Sequence, residues 1–150
     1  MLVLTANGNV ARQLIQNETA IDKEYVVTVN QTLAGSNYGV RESQLQLLRH
    51  GLSLDGVELR PAFVDILPPP DSSWRRTDVP DAGGRALQHG TATSVRLQFR
   101  LREGRNRQIR RMCEAVGLRV ARLHRTRIGA IEMGGLQVGC WRFLRPSQQF

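Results

Sequence analysis

The stretch VRLQFRLREGRNRQIRRMCEAVG, residues 95–117, carries the clearest structural pattern in the chain. Apolar and polar residues alternate at its start, as in a half-buried strand, with Val95, Leu97, Phe99 and Leu101 on one face and Arg96, Gln98, Arg100 and Arg102 on the other. Gly104 then interrupts the alternation. Apolar side chains recur at helical spacing over 107–116, and Gly117 ends this predicted helix.

Weaker patterns on either side predict further elements, which together form one α+β unit. The predicted helices cover 10–15 and 42–50, and the predicted strands cover 1–5, 24–30, 53–59 and 62–67. Residues 118–144 alternate well enough for two or three strands joined at Gly134-Gly135 and Gly139. Residues 68–90 contain four prolines and three glycines without any periodicity, which predicts an exposed loop.

Length and composition are typical of a globular domain. The 150 residues are 41% apolar and 23% charged, and no apolar run approaches the roughly 20 residues of a transmembrane helix. The start, MLVLTANGN, lacks the basic region of a signal peptide. Cys113 and Cys140, with three scattered histidines, give neither a disulfide framework nor a zinc-site spacing. We therefore expect a cytoplasmic protein without a bound metal.

The positive charge of the chain is concentrated in one segment. The net charge is +8, from 21 basic and 13 acidic residues, and Lys23 is the only lysine. Residues 100–127 contain ten arginines and only two acidic residues, Glu103 and Glu114, so the rest of the chain is neutral overall. A solvated helix face usually mixes both signs. The cluster instead predicts binding to a polyanion, most often a nucleic acid.

Several ordered motifs resemble those of one enzyme family. LREGRNRQIRRMCEAVG (101–117), followed by RVARLHRTRIGAI (119–131), resembles the C-terminal signature of bacterial ribosomal RNA pseudouridine synthases, namely the small-subunit enzymes of type A together with the large-subunit enzymes of types B, E and F. The run RNRQIRRMCE most resembles the F type. LVLTANG (2–8), DKEY (22–25) and the ending Gly139 with WRFL (141–144) match other family motifs in order. The resemblance spans essentially the whole chain, with 68–90 as an insertion.

The resemblance implies a fold, a reaction and a partner. It implies that residues 1–150 form a catalytic domain with a mixed, mostly antiparallel sheet and a few flanking helices. The family isomerises uridine to pseudouridine in ribosomal RNA and needs no cofactor. We accordingly expect a monomer that acts on ribosomal RNA, namely that of the large subunit.

One departure from the family pattern concerns the nucleophile. The family's nucleophilic aspartate lies in a Gly-Arg-Leu-Asp motif just before the stretch that LVLTANG matches, so its position falls before Met1. The small RNA-binding domain that usually precedes the catalytic domain is also missing. Asp22, Asp55 and Asp65 lack the flanking motif. We therefore expect this chain, as an N-terminally truncated domain, to be inactive by itself.

Three residues take site roles from the resemblance. Arg110 matches the basic residue that pairs with the catalytic aspartate, a role that suits a permanently charged guanidinium. Charge alone would favour phosphate binding by Arg110, and the motif match reverses that order. Tyr25 matches the tyrosine that lies against the target uracil, and Leu123 matches an apolar residue of the pocket wall. The alternative for both is an ordinary place in the core.

Five arginines are predicted to bind RNA. Arg105 and Arg107 lie at the turn before the predicted helix, where free backbone N–H groups add to the attraction for phosphate. Arg107 and Arg111 are four residues apart and are expected to share one helix face. Arg125 and Arg127 follow in the next basic motif.

Two other functions remain open from the sequence. A non-catalytic RNA-binding remnant of such an enzyme would keep the same basic cluster. A ribosome-associated structural protein would also be basic, although the Lys-Glu-Tyr motif counts against it. The target uridine cannot be read from the sequence, because it depends on RNA shape and on the missing domain.

Overall fold

A computed structural model describes residues 1–15, 21–31, 39–68, 94–145 and 148. Within these ranges the chain forms an α+β fold. Its helices are α1 (Gly8–Ile15), α2 (Glu42–Arg49) and α3 (Gln108–Ala115). Its strands are β1 (Lys23–Gln31), β2 (Ser53–Leu54), β3 (Val57–Glu58), β4 (Phe63–Ile66), β5 (Val95–Leu101), β6 (Leu118–Ile128) and β7 (Ile131–Glu132). The predicted exposed insertion at 68–90 lies, except for Pro68, outside the described residues.

The main sheet has five strands in the order β4-β5-β1-β6-β7, and every described pair is antiparallel. The β-branched and aromatic sequence of β1 explains its central place, because such side chains pack well on a pleated surface. Val27 and Val29 point to the same face as their β5 partners Leu97 and Val95. That face forms the core, where Val27, Val29 and Leu97 are fully buried.

Helices α2 and α3 both cover this core face. Leu45 and Leu48 from α2 and Met112 and Cys113 from α3 belong to one buried cluster with the apolar residues of the sheet. The predicted helical stripes of both segments are thus confirmed. A hydrogen bond from Gln44 Nε2 to the Val116 carbonyl, 2.7 Å long, ties α2 to the end of α3. None of the described helices is long and apolar enough to cross a bilayer.

The expected strand at residues 1–5 is not formed. Leu2 and Leu4 are 81% and 90% exposed. A strand needs a hydrogen-bonded neighbour, and the described residues provide no ladder for this segment. Instead the Met1 carbonyl accepts hydrogen bonds from the side chain of Arg125.

The prediction of one continuous strand over residues 53–59 is also wrong. The chain makes two strands of two residues each, β2 and β3, around Asp55 and Gly56. Both turn residues have positive φ, 55° and 74°, which is the geometry of a tight type I′ hairpin. Asp-Gly is a preferred pair for this turn, so the turn chemistry overrode the apparent continuity of the strand.

Residues 118–144 form one long strand and one short strand. β6 runs for 11 residues, and the chain turns back at Gly129-Ala130, not at the expected Gly134-Gly135. Two register shifts against β1 place β-bulges in β6, at Thr126 and at Ala121. After β7 the described chain has no further strand, and Trp141 packs edge-on against Phe143 with ring centroids 5.1 Å apart.

Candidate active site and RNA-binding surface

The centre of the candidate site is one end of the core face of the sheet. Tyr25 in β1 pairs with Arg125 in β6, and Val27 pairs with Leu123 in the next row. Residues opposite each other in a ladder point to the same side, so Tyr25, Arg125 and Leu123 lie together. Tyr25 and Leu123 pack against the core but are only half-buried. The structure therefore gathers three residues predicted from the sequence into one surface, which we call the Tyr25 surface.

Arg110 lies further along β6 from the Tyr25 surface. Helix α3 packs along β6, and the half-buried Arg110 points its Nη1 toward the Val120 carbonyl at 3.5 Å. Val120 is on the same face of β6 as Leu123. Within the described ranges Arg110 forms no ion pair. A charged guanidinium thus stands beside the sheet surface with its charge not neutralised by a carboxylate.

The turn before α3 is fixed by a buried contact between Glu103 and Gln108. Gln108 Nε2 donates to Glu103 Oε1 at 2.6 Å, and Gln108 Oε1 accepts from the Arg105 amide at 3.0 Å. The Arg60 amide also donates to Glu103 Oε1 at 3.2 Å, so this carboxylate is well satisfied although it is 3% exposed. Neither residue stands out in the sequence, because their pairing depends on the fold of the turn.

The turn before α3 also positions Arg105 and Arg107. Arg105 Nε is 3.5 Å from Glu103 Oε2, an ion pair without hydrogen-bond geometry. Arg107 is exposed and adopts a left-handed conformation (φ 49°) as the residue before α3. Arg107 lies outside the helical backbone, so the expectation that it shares a helix face with Arg111 stays a prediction, although the Arg111 amide donates to the Arg107 carbonyl at 3.1 Å. Among the residues that the structure describes, Arg107 has no acidic partner.

Two of the other predicted arginines are paired with carboxylates. Arg111 makes a two-pronged contact with Asp55, with 2.9 Å between Nη1 and Oδ2 and 2.5 Å between Nη2 and Oδ1, and this hydrogen bonding lowers the pKa of Asp55. Arg127 Nη2 lies 2.9 Å from Glu24 Oε2 and lowers the pKa of that carboxyl group mainly by hydrogen bonding. These pairs neutralise part of the positive charge that the sequence predicted to be free for RNA.

Among the described residues, no carboxylate pairs with Arg125 on the Tyr25 surface. Its Nε and Nη2 donate to the Met1 carbonyl at 3.3 and 2.9 Å. A carbonyl is neutral, so this contact orients the guanidinium without cancelling its charge. Arg125 is the one predicted RNA-binding residue that adjoins Tyr25 in the ladder.

Lys23, within the DKEY motif, is a further residue of this region, and the sequence alone indicates no role for it. It lies on the same face of β1 as Tyr25, is only 5% exposed, and its Nζ has no hydrogen-bond partner in the described part of the chain. Burial, and secondarily the charge of Arg125, lowers the pKa of Lys23. The signal in the sequence was its uniqueness, since it is the only lysine.

No described residue near the Tyr25 surface has the properties of a nucleophile or metal ligand set. Burial raises the pKa of the Cys113 thiol to about 12, which keeps it protonated at neutral pH. Asp22 is ion-paired with Arg102 at 3.0 Å, and Glu24 points to the opposite face with Arg127. The described residues contain no cluster of three or more potential metal ligands.

Sequence comparison identifies the family. A profile of the RNA pseudouridylate synthase family matches residues 1–115, about three quarters of the chain. The chain belongs to this family. Residues 1–115 include Tyr25 and Arg110, so both predicted catalytic residues of this pseudouridylate synthase domain lie within the matched part.

Several curated relatives of the pseudouridylate synthase domain are named as ribosomal enzymes. "Ribosomal large subunit pseudouridine synthase E" of Xanthomonas campestris pv. campestris is 36% identical over 142 residues, covering 95% of the chain and 69% of the relative. The enzyme of the same name from Vibrio parahaemolyticus is 34% identical over 143 residues, covering 95% and 54%. "Ribosomal large subunit pseudouridine synthase B" of Bacillus subtilis is 30% identical over 149 residues, covering 99% and 50%. The chain thus spans roughly half to two thirds of these relatives.

These relatives are of the E and B types, so the expected F-type resemblance is not confirmed. A solved structure described as "Crystal structure of pseudouridylate synthase" superposes with a TM-score of 0.60 at 22% identity, covering 85% of the chain and 43% of that structure. At this identity the superposition shows the fold. It confirms the α+β pseudouridine synthase architecture that the motifs implied.

Proposed function

We propose that the protein containing this chain isomerises uridine to pseudouridine in ribosomal RNA of the large subunit. The observation that carries this proposal is the Tyr25 surface, where a half-buried aromatic ring, an apolar residue and an arginine lie in adjacent ladder rows. An aromatic ring beside a cation is suited to a uracil that has been turned out of an RNA stack.

The reaction explains why these residues suffice for the base and why no cofactor is required. The bond from ribose C1′ to uracil N1 breaks, the base rotates, and a bond from C1′ to C5 forms. The C5 hydrogen leaves as a proton and N1 gains a proton, so the overall change is redox-neutral. Tyr25 would hold the base by stacking while it rotates, and Leu123 would exclude water from one side.

The nucleophile is proposed to come from the segment that precedes Met1. Attack on the nucleotide needs a positioned carboxylate, and removing a covalent nucleophile lowers the rate by orders of magnitude. Arg110 would keep this aspartate ionised through a charge-assisted hydrogen bond. Its position beside the sheet without an ion-paired carboxylate among the described residues supports that role.

A tritium-release assay tests the proposed function. Large-subunit ribosomal RNA labelled with tritium at uracil C5 is incubated with residues 1–150 and with an extended protein, in which a segment carrying a Gly-Arg-Leu-Asp motif is joined before Met1. We expect release by the extended protein and none by residues 1–150. Equal turnover by both would place the nucleophile within the present chain.

Failure of the extended protein to release tritium, with RNA binding retained, would favour the alternative of a non-catalytic RNA-binding remnant. An extended protein carrying Tyr25→Ala is the matched control for pocket chemistry, because it keeps every charge. The monomeric state and the cytoplasmic location are further predictions, which light scattering and cell fractionation can check.

A further inference from the structure

Lys23 presents an electrostatic problem within the fold. Its side chain is 5% exposed, and its Nζ has no hydrogen-bond partner in the ranges that the structure describes. Burying an ammonium group without a partner is costly, and such groups in proteins are usually paired or bind ions. Within the described ranges, Lys23 is therefore a buried cation without a compensating partner.

The groups around Lys23 add little compensation. Its ladder partners, Leu101 in β5 and Ile128 in β6, are apolar, and Arg125 on the neighbouring row is another cation. Asp22 raises the pKa of Lys23, but less than burial and Arg125 lower it, and its carboxylate is held by Arg102 Nε at 3.0 Å. Lys23 and Arg125 are thus like charges on one face of the sheet, with Lys23 buried next to the half-buried Arg125, and the complementary ligand of two such cations is an oxyanion.

We propose that Lys23 Nζ and the Arg125 guanidinium bind a phosphate group of the nucleotide whose base stacks on Tyr25. This inference rests on the proposed function, because it takes the target base to lie on Tyr25. Lys23 and Tyr25 are separated by one pleat of the strand, about 6.8 Å, a spacing comparable to that between a base and its own phosphate.

The two cations have complementary abilities for this task. The ammonium group is a compact point charge, and the guanidinium offers a planar fork to two phosphate oxygens. Arg125 already directs Nε and Nη2 at one oxygen, the Met1 carbonyl. The phosphate would replace that carbonyl, and the unpaired segment before α1 can move aside because it forms no ladder with the described strands.

Binding of mononucleotides to residues 1–150 tests the proposal. Uridine, uridine 3′-monophosphate and uridine 5′-monophosphate are titrated in phosphate-free buffer and followed by NMR. We expect one of the two monophosphates to bind about tenfold more tightly than uridine, as a charge-assisted contact would provide. Comparing the two identifies which side of the nucleotide faces Lys23.

Three variants distinguish a specific contact between Lys23 and phosphate from non-specific attraction by the positive charge of the chain. Lys23→Met should abolish the preference for the monophosphate while leaving uridine affinity unchanged, and Lys23→Arg should restore it. Arg122→Met is the matched control, because Arg122 pairs with Thr28 and so lies on the opposite face of the sheet. Its loss should leave the preference intact. Equal affinity of the wild type for uridine and for both monophosphates would overturn the phosphate proposal. Binding of uridine would still support the base pocket at Tyr25.

Two further results distinguish failure of the proposal from failure of the proposed function. Lys23→Met should raise the melting temperature of the free chain, since it removes a buried unpaired charge. A fall instead would mean that a protein group satisfies Lys23, which would overturn the phosphate assignment. If neither uridine nor a monophosphate binds, and Tyr25→Ala leaves the NMR titrations unchanged, the proposed base pocket is wrong. The proposed phosphate contact of Lys23 is then wrong as well.

Discussion

Arg125 and Arg127 are two residues apart in β6 but point to opposite faces of the sheet. Thr126 is an extra residue in a β-bulge, so Arg125 pairs with Tyr25 while Arg127 pairs with Glu24. In a regular strand both arginines would share one face. The bulge therefore assigns one arginine to the Tyr25 surface and the other to a pair on the opposite face.

This separation predicts different effects of the two alanine variants. Arg125→Ala should weaken binding to ribosomal RNA about tenfold and reduce the salt dependence by about one counterion. Arg127→Ala should change RNA binding less and lower stability more, because it leaves Glu24 partly buried without its partner. Filter binding at several salt concentrations and urea unfolding measure the two quantities. Equal losses of RNA affinity would show that both faces touch RNA.

Arg107 and Arg110 should also differ. Arg107 is exposed and without an acidic partner in the described chain, so Arg107→Ala should weaken RNA binding about three- to tenfold. Arg110→Ala should weaken it less than about twofold, because Arg110 is half-buried and directs its guanidinium toward the Val120 carbonyl of β6. Arg12→Ala, on α1 and outside the basic segment, is the control in the same assay. Equal effects at 107 and 110 would make Arg110 another phosphate contact.

The contact between Glu103 and Gln108 should contribute substantially to stability. Gln108→Ala removes the 2.6 Å hydrogen bond to a buried carboxylate and should lower the free energy of unfolding by about 2 kcal/mol. Glu114→Ala, an exposed change in the same helix, should have little effect. Urea denaturation followed by circular dichroism measures both. A change below about 0.5 kcal/mol for Gln108→Ala would mean that water replaces the amide.

Glu24 should contribute to acid sensitivity. Its pKa in the folded chain is lowered below the ordinary value of 4.5, first by the hydrogen bond from Arg127. A carboxyl group with a depressed folded pKa stabilises the fold above its unfolded pKa, and this contribution is lost as pH falls through the folded pKa. Glu24→Gln should therefore be less stable than the wild type at pH 7 and should converge with it in strong acid. Melting curves from neutral pH down to strong acid test this, and a constant difference would contradict it.

The sequence predicted the elements whose period is local. The alternation in β5 and the apolar stripe of α3 appear in the structure as buried faces, because each depends only on side chains that are neighbours along one element. The motifs around Tyr25 and Arg110 also identify the family from the sequence alone. The α+β class followed from these elements.

The features that the sequence missed depend on two elements at once. The bulge at Thr126 exists only relative to β1, so no pattern within 118–128 reveals that Arg125 and Arg127 diverge. The pairing of Arg111 with Asp55 joins a helix to a hairpin far away in sequence. Likewise, Lys23 reads as an ordinary strand residue until its apolar ladder partners are known. Net charge counted along the chain therefore overestimated the arginines free for RNA.

The turn at 103–108 has a consequence for protein engineering. Its geometry is fixed largely by side chains within the turn itself, with the Arg60 amide as the one described outside donor. A connector of this kind should keep its geometry when it is transferred to another protein. Grafted between a strand and a following helix of an unrelated scaffold that supplies one inward-facing amide, it should place the exposed Arg107 at the start of the helix, while Glu103 holds Arg105 within the turn.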